Sequence, residues 1–285
     1  MTSGPGPRDG AASGKARPLV AGERVVLIDS KGRQFLVTLA DDGELHTHTG
    51  VIRHAELLGE DEGTTVRSTT GARYTAVRPT LSEYVVRMPR GAQVVYPKDI
   101  GPILVLADVY PGVRLPEAGV GSGALSMALV RAGADVVGYE IRADFAEGAL
   151  ANVRAFLGDD AMARYRVEIR DVAEGIDERD LDRVVLDLPE PWRALAAARE
   201  ALRPGGILLA YTPSVMQVAT LREAIEDSDF ELPSTVEVLQ RAWHVEGQAV
   251  RPDHRMVGHT GFLTTARLLG PVPGGLKPPR LPTRQ

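Results

Sequence analysis

A glycine-rich segment in the middle of the chain carries the strongest chemical signal in the sequence. Its residues are Glu117, Ala118, Gly119, Val120, Gly121, Ser122 and Gly123, followed by Ala124. A predicted strand precedes the segment and a predicted helix follows it. Glycines permit a tight reversal of the chain, and they let backbone N–H groups at a helix N-terminus approach a ligand. The pattern is typical of nucleotide binding at residues 119–123, although a purely structural turn remains the alternative for an isolated glycine loop.

Three carboxylates narrow the choice of cofactor. Glu140 ends the next predicted strand, near the offset of about 20 residues at which a carboxylate accepts hydrogen bonds from ribose hydroxyls. Asp171 closes the third strand, where it can accept from an adenine amino group or act as a helix N-cap. Glu117 stands two residues before the first glycine, where it can receive a methionine ammonium or orient the loop. Together with the position of the loop in mid-chain, these residues favour S-adenosylmethionine over a nicotinamide.

A fourth carboxylate, Asp187, begins the segment Asp-Leu-Pro-Glu-Pro-Trp at residues 187–192. Residues just beyond the carboxyl end of a strand face the ligand crevice of an open α/β sheet, so Asp187 can meet a substrate amino group there. The alternative is an ordinary helix start with Pro191 in its first turn. That alternative explains the prolines of the segment, but it gives no reason for a carboxylate at the buried end of a strand.

Around these residues the chain alternates between predicted strands and helices from about residue 81 onward. The strands are predicted at 114–118, 135–139, 166–169, 183–187, 207–211, 236–243 and 262–268. The helices are predicted at 125–132, 145–157, 191–202 and 215–225. This alternation predicts an α/β fold, a Rossmann-like parallel sheet with helices on both faces, for a catalytic domain at residues 81–270.

The segment at residues 18–80 has a different pattern and predicts a small all-β domain. Short β runs at 24–28, 34–39, 65–68 and 74–77 are separated by turn residues such as Asp-Ser-Lys-Gly at 29–32. His46 and His48 alternate on a further predicted strand and face the same side. Without an acidic or cysteine partner in the pattern they are expected to be surface residues, so no metal site is predicted. The composition of residues 1–17, rich in Gly, Pro, Ser and Ala, predicts a disordered tail. Residues 271–285 are predicted to form a Pro-rich basic tail.

Composition excludes several classes of protein. The chain of 285 residues has no cysteine, which excludes a disulfide framework, a thiolate zinc site and a cysteine nucleophile. No apolar run approaches the ~18 residues that a membrane span needs, and residues 1–17 lack the apolar core of a secretory signal. A cytoplasmic protein with no membrane partner is therefore expected. The net charge of −5 argues weakly against extensive nucleic-acid binding, but basic stretches at 241–255 and 277–284 leave the partner open.

Four segments taken together resemble the tRNA (adenine-58) N1-methyltransferase family. They are Glu-Ala-Gly-x-Gly-Ser-Gly at 117–123, Gln-Val-Val-Tyr-Pro-Lys-Asp at 93–99, the segment at 187–192, and Arg-Pro-Asp-His-Arg-Met-Val-Gly-His-Thr at 251–260. Many methyltransferases share the first motif, whereas the other three in this order are much more specific. The resemblance covers the chain from the β domain to the last strand. Pro116 departs from the family's pattern, in which an aliphatic residue is more usual at this position of the first core strand. Proline lacks a backbone N–H, so it costs the strand a ladder hydrogen bond there.

The resemblance implies a class I S-adenosylmethionine-dependent methyltransferase, a homotetramer that methylates N1 of the adenine at position 58 in the T-loop of tRNA. It implies contacts with the cofactor or its surroundings at Gly121, Ser122, Gly123, Ala124, Glu140, Phe145, Asp171 and Asp187. Asp187 would also serve the target base, in a pocket lined by Tyr96 and Tyr211. For both tyrosines the alternative is a buried ring with a satisfied hydroxyl. Among the basic residues, Lys98, Arg251 and Arg255 can contact phosphates, or they contact only water.

On this hypothesis the enzyme mainly positions N1 in line with a methyl group that the sulfonium already activates. Because N1 lies on the Watson–Crick edge, the base must be turned out of its RNA context. A carboxylate at Asp187 would stabilise the positive charge that develops on adenine and could accept an amino proton. Three alternatives remain: a class I methyltransferase that acts on a protein or small molecule, a nicotinamide oxidoreductase, and a non-catalytic RNA-binding subunit. The segment at 187–192 argues against the second, and the intact loop with its carboxylates argues against the third.

Overall fold

The computed structural model describes residues 17–91 and 93–270. The chain forms two compact units, Met1–Thr80 and Leu81–Gln285. The predicted tails at 1–17 and 271–285 lie outside the described residues, apart from Arg17. No helix in the described part of the chain is long and apolar enough to cross a lipid bilayer.

The first unit is built from short antiparallel strands. Its strands are β1 (Arg24–Asp29), β2 (Gln34–Thr38), β3 (Glu44–Thr47), β4 (Gly50–Arg53), β5 (Thr65–Arg67) and β6 (Arg73–Val77). Four of them form a sheet in the order β2-β1-β6-β5, and β3 pairs with β4 in a separate hairpin. Leu27 of β1 and Tyr74 of β6 are fully buried in a small apolar core. The small all-β fold predicted for this region is confirmed.

His46 and His48 do not share a strand face, contrary to the prediction. β3 ends at Thr47, whose hydroxyl donates to the Gly50 carbonyl oxygen at 2.9 Å, so the chain already turns at His48. His46 remains on β3 with an exposed side chain, whereas His48 hydrogen-bonds Arg33 at 2.7 Å. Across residues 17–91 and 93–270, no group of three or more His, Cys, Asp or Glu side chains is placed to hold a metal ion.

The second unit is a seven-stranded sheet packed with helices. In chain order its elements are α1 (Leu81–Val85), α2 (Pro97–Leu106), β7 (Arg114–Ala118), α3 (Ala124–Arg131), β8 (Asp135–Glu140), α4 (Ala143–Leu157), β9 (Tyr165–Ile169), β10 (Leu181–Asp187), α5 (Leu195–Ala201), β11 (Leu202–Thr212), α6 (Val215–Glu226), β12 (Phe230–Glu237), β13 (Trp243–Glu246), β14 (Ala249–Pro252) and β15 (Phe262–Leu268). The sheet has the order β12-β15-β11-β10-β7-β8-β9, while β13 and β14 form a hairpin outside it. Leu186 and Leu208 of the strands pack with Ala198 and Leu221 of the helices in one apolar core.

The sheet is mixed rather than wholly parallel. β9, β8, β7, β10 and β11 run parallel, as predicted, and helical segments connect them. β15 runs antiparallel to both β11 and β12. The prediction of a parallel sheet is therefore corrected at this edge. The chain returns from β12 to β15 through a hairpin and a loop instead of a crossover helix, and such returns favour antiparallel pairing.

Three further elements differ from the prediction. The strand predicted at 236–243 is wrong, because β12 ends at Glu237 and the residues that follow leave the sheet for the β13-β14 hairpin. The helix predicted at 191–202 begins as a 3-10 turn and becomes α-helical only in α5. The sequence does not predict α2, because Gly101 and Pro102 inside it are poor helix formers.

Pro116 lies inside β7, next to the point where the hydrogen-bond ladder between β7 and β10 begins. All five residues of β7 pair with β8, where Pro116 lies opposite Val137. On the other side of β7, the pairing with β10 includes only Glu117 and Ala118. The ladder with β10 thus begins immediately after Pro116, so the proline does not interrupt it.

Candidate active site

The glycine loop joins the carboxyl end of β7 to α3 and requires glycine at two positions. Gly119 has a φ of +83°, and a Cβ there would lie 1.9 Å from the carbonyl oxygen of Asp187. Gly123, with a φ of +80°, caps α3, and a Cβ there would lie 3.2 Å from backbone atoms of Ala149. A left-handed backbone and a close neighbouring chain both disfavour a side chain at these positions. The loop therefore packs directly against the end of β10 and against α4.

A cavity of about 430 Å³ opens beside this loop, at the carboxyl ends of the parallel strands. β7 lies between β8 and β10, so the strand order reverses there, and ligands of open α/β sheets bind at such switch points. The predicted cofactor residues that line the cavity are Gly119, Gly121, Glu140, Phe145, Asp171 and Asp187. Ser122, Gly123 and Ala124 are buried and do not line it.

Glu140 holds the glycine loop from the end of β8. Its carboxylate accepts hydrogen bonds from the backbone N–H groups of Gly121 and Arg142, both at 3.0 Å. The guanidinium of Arg142 lies 3.6 Å from the centre of the Phe145 ring and stacks on it. The cavity therefore has a buried carboxylate and an aromatic ring on the same wall.

Asp171 is a helix N-cap in this structure. Its Oδ1 accepts from the Ala173 N–H at 2.9 Å, at the start of the 3-10 turn Val172–Glu174. Its Oδ2 lies 3.3 Å from a guanidinium nitrogen of Arg193. The residue also borders the cavity. Capping fixes the orientation of the carboxylate and leaves it further acceptor capacity. The role of helix N-cap is therefore compatible with that of acceptor for an adenine amino group.

Glu117 lies under the loop and does not line the cavity. Its Oε2 accepts from the Ser126 hydroxyl at 2.6 Å, and the Ser126 oxygen accepts in turn from the Tyr165 hydroxyl at 3.0 Å. All three side chains are buried, and Oε1 of Glu117 has no hydrogen-bond partner among the described residues. Burial raises the pKa of Glu117 to about 8, although the Ser126 hydrogen bond opposes the shift. These contacts favour the loop-orienting role over the ammonium-binding one.

Asn152 belongs to the site, and the sequence does not indicate it. Its side chain is buried on α4, and its amide nitrogen donates to the carbonyl oxygens of Ser122, at 3.1 Å, and of Pro89, at 2.9 Å. One side chain thus ties the glycine loop to the segment that precedes α2. These partners lie 30 and 63 residues away in the chain. A single Asn in an amphipathic helix gives no sign of contacts so distant.

Asp187 and Tyr211 lie at the carboxyl ends of β10 and β11 and are opposite each other in the register. Burial raises the pKa of Asp187 to about 7, and the charge of Glu140 adds to the shift. Burial also raises the pKa of Tyr211 above its usual range; Thr260 opposes the shift, and the charges of Asp99, Asp187 and Tyr96 add to it. Tyr96 caps the N-terminus of α2. Asp187 lines the cavity beside the glycine loop, whereas Tyr96 and Tyr211 do not, so a pocket for the target base that all three line stays a prediction.

The structure does not support the prediction that Lys98 contacts phosphate. Its side chain is only 7% exposed, and its ammonium pairs with Asp99 at 2.8 Å. The same ammonium donates to the Val238 carbonyl oxygen at 2.8 Å, so it is held inside the fold. Arg251 on β14 and Arg255 beyond it are exposed. Their contact with phosphate stays a prediction.

The fold and the site together define a class of protein. A glycine loop follows the first strand of the central sheet, a carboxylate ends the second strand, and a cavity lies at the switch point beside them. The antiparallel strand β15 is inserted between β11 and β12. This is the arrangement of a class I S-adenosylmethionine-dependent methyltransferase.

Comparison with known proteins identifies the family within this class. Residues 74–251 match the family described as tRNA methyltransferase complex GCD14 subunit, and residues 18–66 match the TrmI-like N-terminal family. A tRNA (adenine(58)-N(1))-methyltransferase, TrmI, from Thermus thermophilus is 40% identical over 246 residues, which are 85% of this chain and 96% of that protein. The chain belongs to the GCD14/TrmI family of tRNA methyltransferases, and the family indicated by the four sequence motifs is confirmed.

Two solved structures share the fold. A SAM-dependent O-methyltransferase from Thermotoga maritima has a TM-score of 0.85 at 33% sequence identity, covering 89% of this chain and 96% of that one. The tRNA (m1A58) methyltransferase TrmI from Aquifex aeolicus has a TM-score of 0.79 at 27% identity, covering 90% of this chain and 100% of that one. The predicted α/β methyltransferase fold is confirmed.

Proposed function

We propose that this protein transfers a methyl group from S-adenosylmethionine to N1 of the adenine at position 58 in the T-loop of tRNA. The observation that carries the proposal is the pairing of Asp187 with Tyr211 at strand ends beside the cavity. A carboxylate next to an aromatic ring matches the amino edge and the face of a purine. The activity for which the Thermus thermophilus relative is named supports the same substrate.

The cavity beside the glycine loop fits S-adenosylmethionine, which supplies a methyl group activated by its sulfonium. Each carboxylate oxygen of Glu140 already accepts one backbone N–H and keeps acceptor capacity for a ribose hydroxyl. Phe145 and Asp171 border the same cavity and suit the face and the amino group of an adenine. Gly119 and Gly121 carry no side chain, so a ligand can reach the backbone of the loop.

Asp187 acts on the target base in this proposal. Positive charge develops over the adenine ring and its amino group as N1 attacks, and a fixed carboxylate beside the amino group stabilises that charge. The ionised carboxylate can also accept a proton from the amino group. A pKa of about 7 leaves a substantial fraction of Asp187 ionised near neutral pH.

Tyr211 and Tyr96 line the pocket for the target base. N1 lies on the Watson–Crick edge, so the base must leave its stack before it can react. An aromatic ring in the pocket restores part of the lost stacking, about 1–3 kcal/mol per base. Tyr211 lies opposite Asp187 in the strand register, and Tyr96 is near enough to Tyr211 to contribute to the rise in its pKa, which supports this role.

We also propose that tRNA binds a homo-oligomer of the chain, a homotetramer by family resemblance, in the cytoplasm. The hairpin β13-β14 exposes Trp243, Val245 and Val250. A two-stranded hairpin alone is marginally stable in water, so a second copy that covers these side chains would stabilise it. Arg251 and Arg255 lie on and just beyond the hairpin, where several copies would bring such cations together for phosphate contact.

Transfer of label from tritiated S-adenosylmethionine to an unmodified tRNA transcript tests the proposal. We expect incorporation into the transcript, and none when its adenine 58 is replaced by guanine. Label in protein or small molecules, but not in tRNA, would support a class I methyltransferase with another substrate. Cofactor binding without any transfer to tRNA would contradict the proposal.

A further inference from the structure

Two of the sequence motifs meet in a buried polar cluster that the proposed reaction does not use. Asp99, near the start of α2, is fully buried. Its carboxylate pairs with Lys98 at 2.8 Å and accepts a hydrogen bond from the Thr260 hydroxyl at 2.5 Å. Lys98 also donates to the Val238 carbonyl oxygen. The cluster therefore joins α2 to the segment before the β13-β14 hairpin, at Val238, and to the segment after the hairpin, at Thr260.

The residue after Thr260 lies against Tyr211. A Cβ on Gly261 would lie 2.5 Å from both Cε2 and Cζ of the Tyr211 ring, and 2.8 Å from its hydroxyl oxygen. The backbone at Gly261 therefore touches the flat face or edge of the ring with no room for a side chain. The Thr260 side chain also lies near the Tyr211 hydroxyl, since it lowers the pKa of that group against the effect of burial. Whatever holds Thr260 in place also restrains this tyrosine.

Stability alone does not explain the cluster. A buried ion pair is weak evidence for stability, because the loss of hydration offsets the attraction between the charges. Buried ionic groups are retained in some proteins because they select one geometry. Here the selected geometry is that of residues 260–261, which lie between the cluster and Tyr211.

We propose that Asp99 and Thr260 are positioning residues, which hold Tyr211 opposite Asp187 in the pocket for the target base. The role rests on the proposed function, since Tyr211 is assigned to the base through it. Asp99 orients the Thr260 hydroxyl, and Thr260 sets the backbone of Gly261 against the ring. Without this restraint the ring gains freedom, and the base loses a fixed partner beside the carboxylate.

A conservative pair of variants tests the hydroxyl of Thr260. Thr260→Val keeps the shape and removes the hydrogen bond, whereas Thr260→Ser keeps the hydroxyl. We expect turnover on tRNA to fall at least about tenfold in Thr260→Val and to stay within about threefold of wild type in Thr260→Ser, with cofactor affinity unchanged in both. Equal losses in the two variants, or parallel losses of turnover and cofactor affinity, would mean a packing role and overturn the proposal.

A double-mutant cycle shows whether the effect passes through Tyr211. In a Tyr211→Ala background, Thr260→Val should reduce turnover by less than about twofold, because the residue it positions is already gone. Losses that multiply in the double variant would overturn the proposal.

Fluorine NMR of protein labelled with 3-fluorotyrosine gives a readout that needs no tRNA. The Tyr211 resonance is assigned by its loss in Tyr211→Phe. We expect this resonance to shift or broaden in Thr260→Val and in Asp99→Asn, and to stay at its wild-type position in Thr260→Ser. An unchanged resonance in Thr260→Val would overturn the positioning role. A wild-type protein that shows these spectra but transfers no methyl group to tRNA would instead count against the proposed function.

Discussion

Asp187 and Tyr211 are register partners across the ladder that joins β10 to β11. Because the two strands are parallel, their carboxyl ends meet at one edge of the sheet, about 4.8 Å apart. Backbone pairing therefore sets the spacing of the two residues along this edge of the sheet. The loop residue Gly119 approaches the carbonyl oxygen of Asp187 from the other side, so Asp187 lies between the glycine loop and Tyr211.

Replacement of Asp187 by Asn should separate chemistry from binding. The amide keeps the shape of the side chain but carries no charge, so it cannot stabilise the positive charge that develops on adenine. We expect turnover to fall by about 100- to 1,000-fold, the usual effect of removing one such electrostatic contact. Cofactor affinity, measured by calorimetry, should change by less than about threefold. Glu147→Gln, an exposed change on α4, is the matched control. Equal losses of turnover and affinity, or normal turnover, would exclude this role for Asp187.

The rate of methyl transfer should depend on pH through the same carboxyl. Burial raises the pKa of Asp187 to about 7, and only the ionised form stabilises the charge on the base. The single-turnover rate at saturating cofactor and tRNA should therefore rise with pH, with a midpoint near 7, and level off about one pH unit above it. Asp187→Asn should lack this rise. A wild-type rate that falls between about pH 6 and 8 would contradict the assignment.

Gly119→Ala should destabilise the protein and weaken cofactor binding. The new Cβ would lie 1.9 Å from the Asp187 carbonyl oxygen, at a φ of +83°. Backbone strain alone costs about 1–3 kcal/mol, and the clash adds to it. Gly148→Ala is the matched control, because Gly148 lies inside α4 with no atom within 4 Å of a new Cβ. That change should stabilise the helix by about 0.5–1 kcal/mol. Thermal unfolding and cofactor titration test both, and Gly119→Ala with wild-type values would show that the loop is not packed as described.

Asn152→Asp should loosen the glycine loop while it preserves the size of the side chain. The carboxylate cannot donate to the carbonyl oxygens of Ser122 and Pro89, which the amide now satisfies. Leaving such buried acceptors unpaired costs about 1–3 kcal/mol. We expect a lower melting temperature and cofactor affinity reduced by roughly tenfold or more. A variant that melts earlier but binds the cofactor as tightly as wild type would make Asn152 a structural residue only.

The sequence predicts those parts of the fold that depend on local pattern. The strands at 114–118 and 262–268 have the predicted bounds, because glycines stand close to both ends of each strand in the sequence. The glycine loop is predicted with its strand and helix, since its backbone requires glycine at fixed positions. The carboxylates Glu140 and Asp187 are also predicted correctly at strand ends, because their place in the sheet follows from where each strand stops.

Features that depend on distant contacts cannot be predicted in this way. Lys98 and Asp99 look like ordinary exposed charges, and only tertiary packing buries them as a pair beside Thr260. The chain at 236–243 has the alternation of a strand, but it leaves the sheet after Glu237. Asn152 reaches two carbonyl groups that the sequence places far from it. In each case the deciding partner is remote in the chain.

The most direct test of the account is to identify the methylated nucleoside and its position in tRNA. An unmodified transcript is incubated with the purified protein and S-adenosylmethionine, digested to nucleosides and analysed by mass spectrometry. A parallel sample is read by reverse transcription, which a methyl group on the Watson–Crick edge arrests. We predict 1-methyladenosine as the product and arrest at adenine 58, both strongly reduced with Asp187→Asn after the same short incubation. A methyl group on another atom of the base, on a ribose oxygen or at a position outside the T-loop would contradict the account.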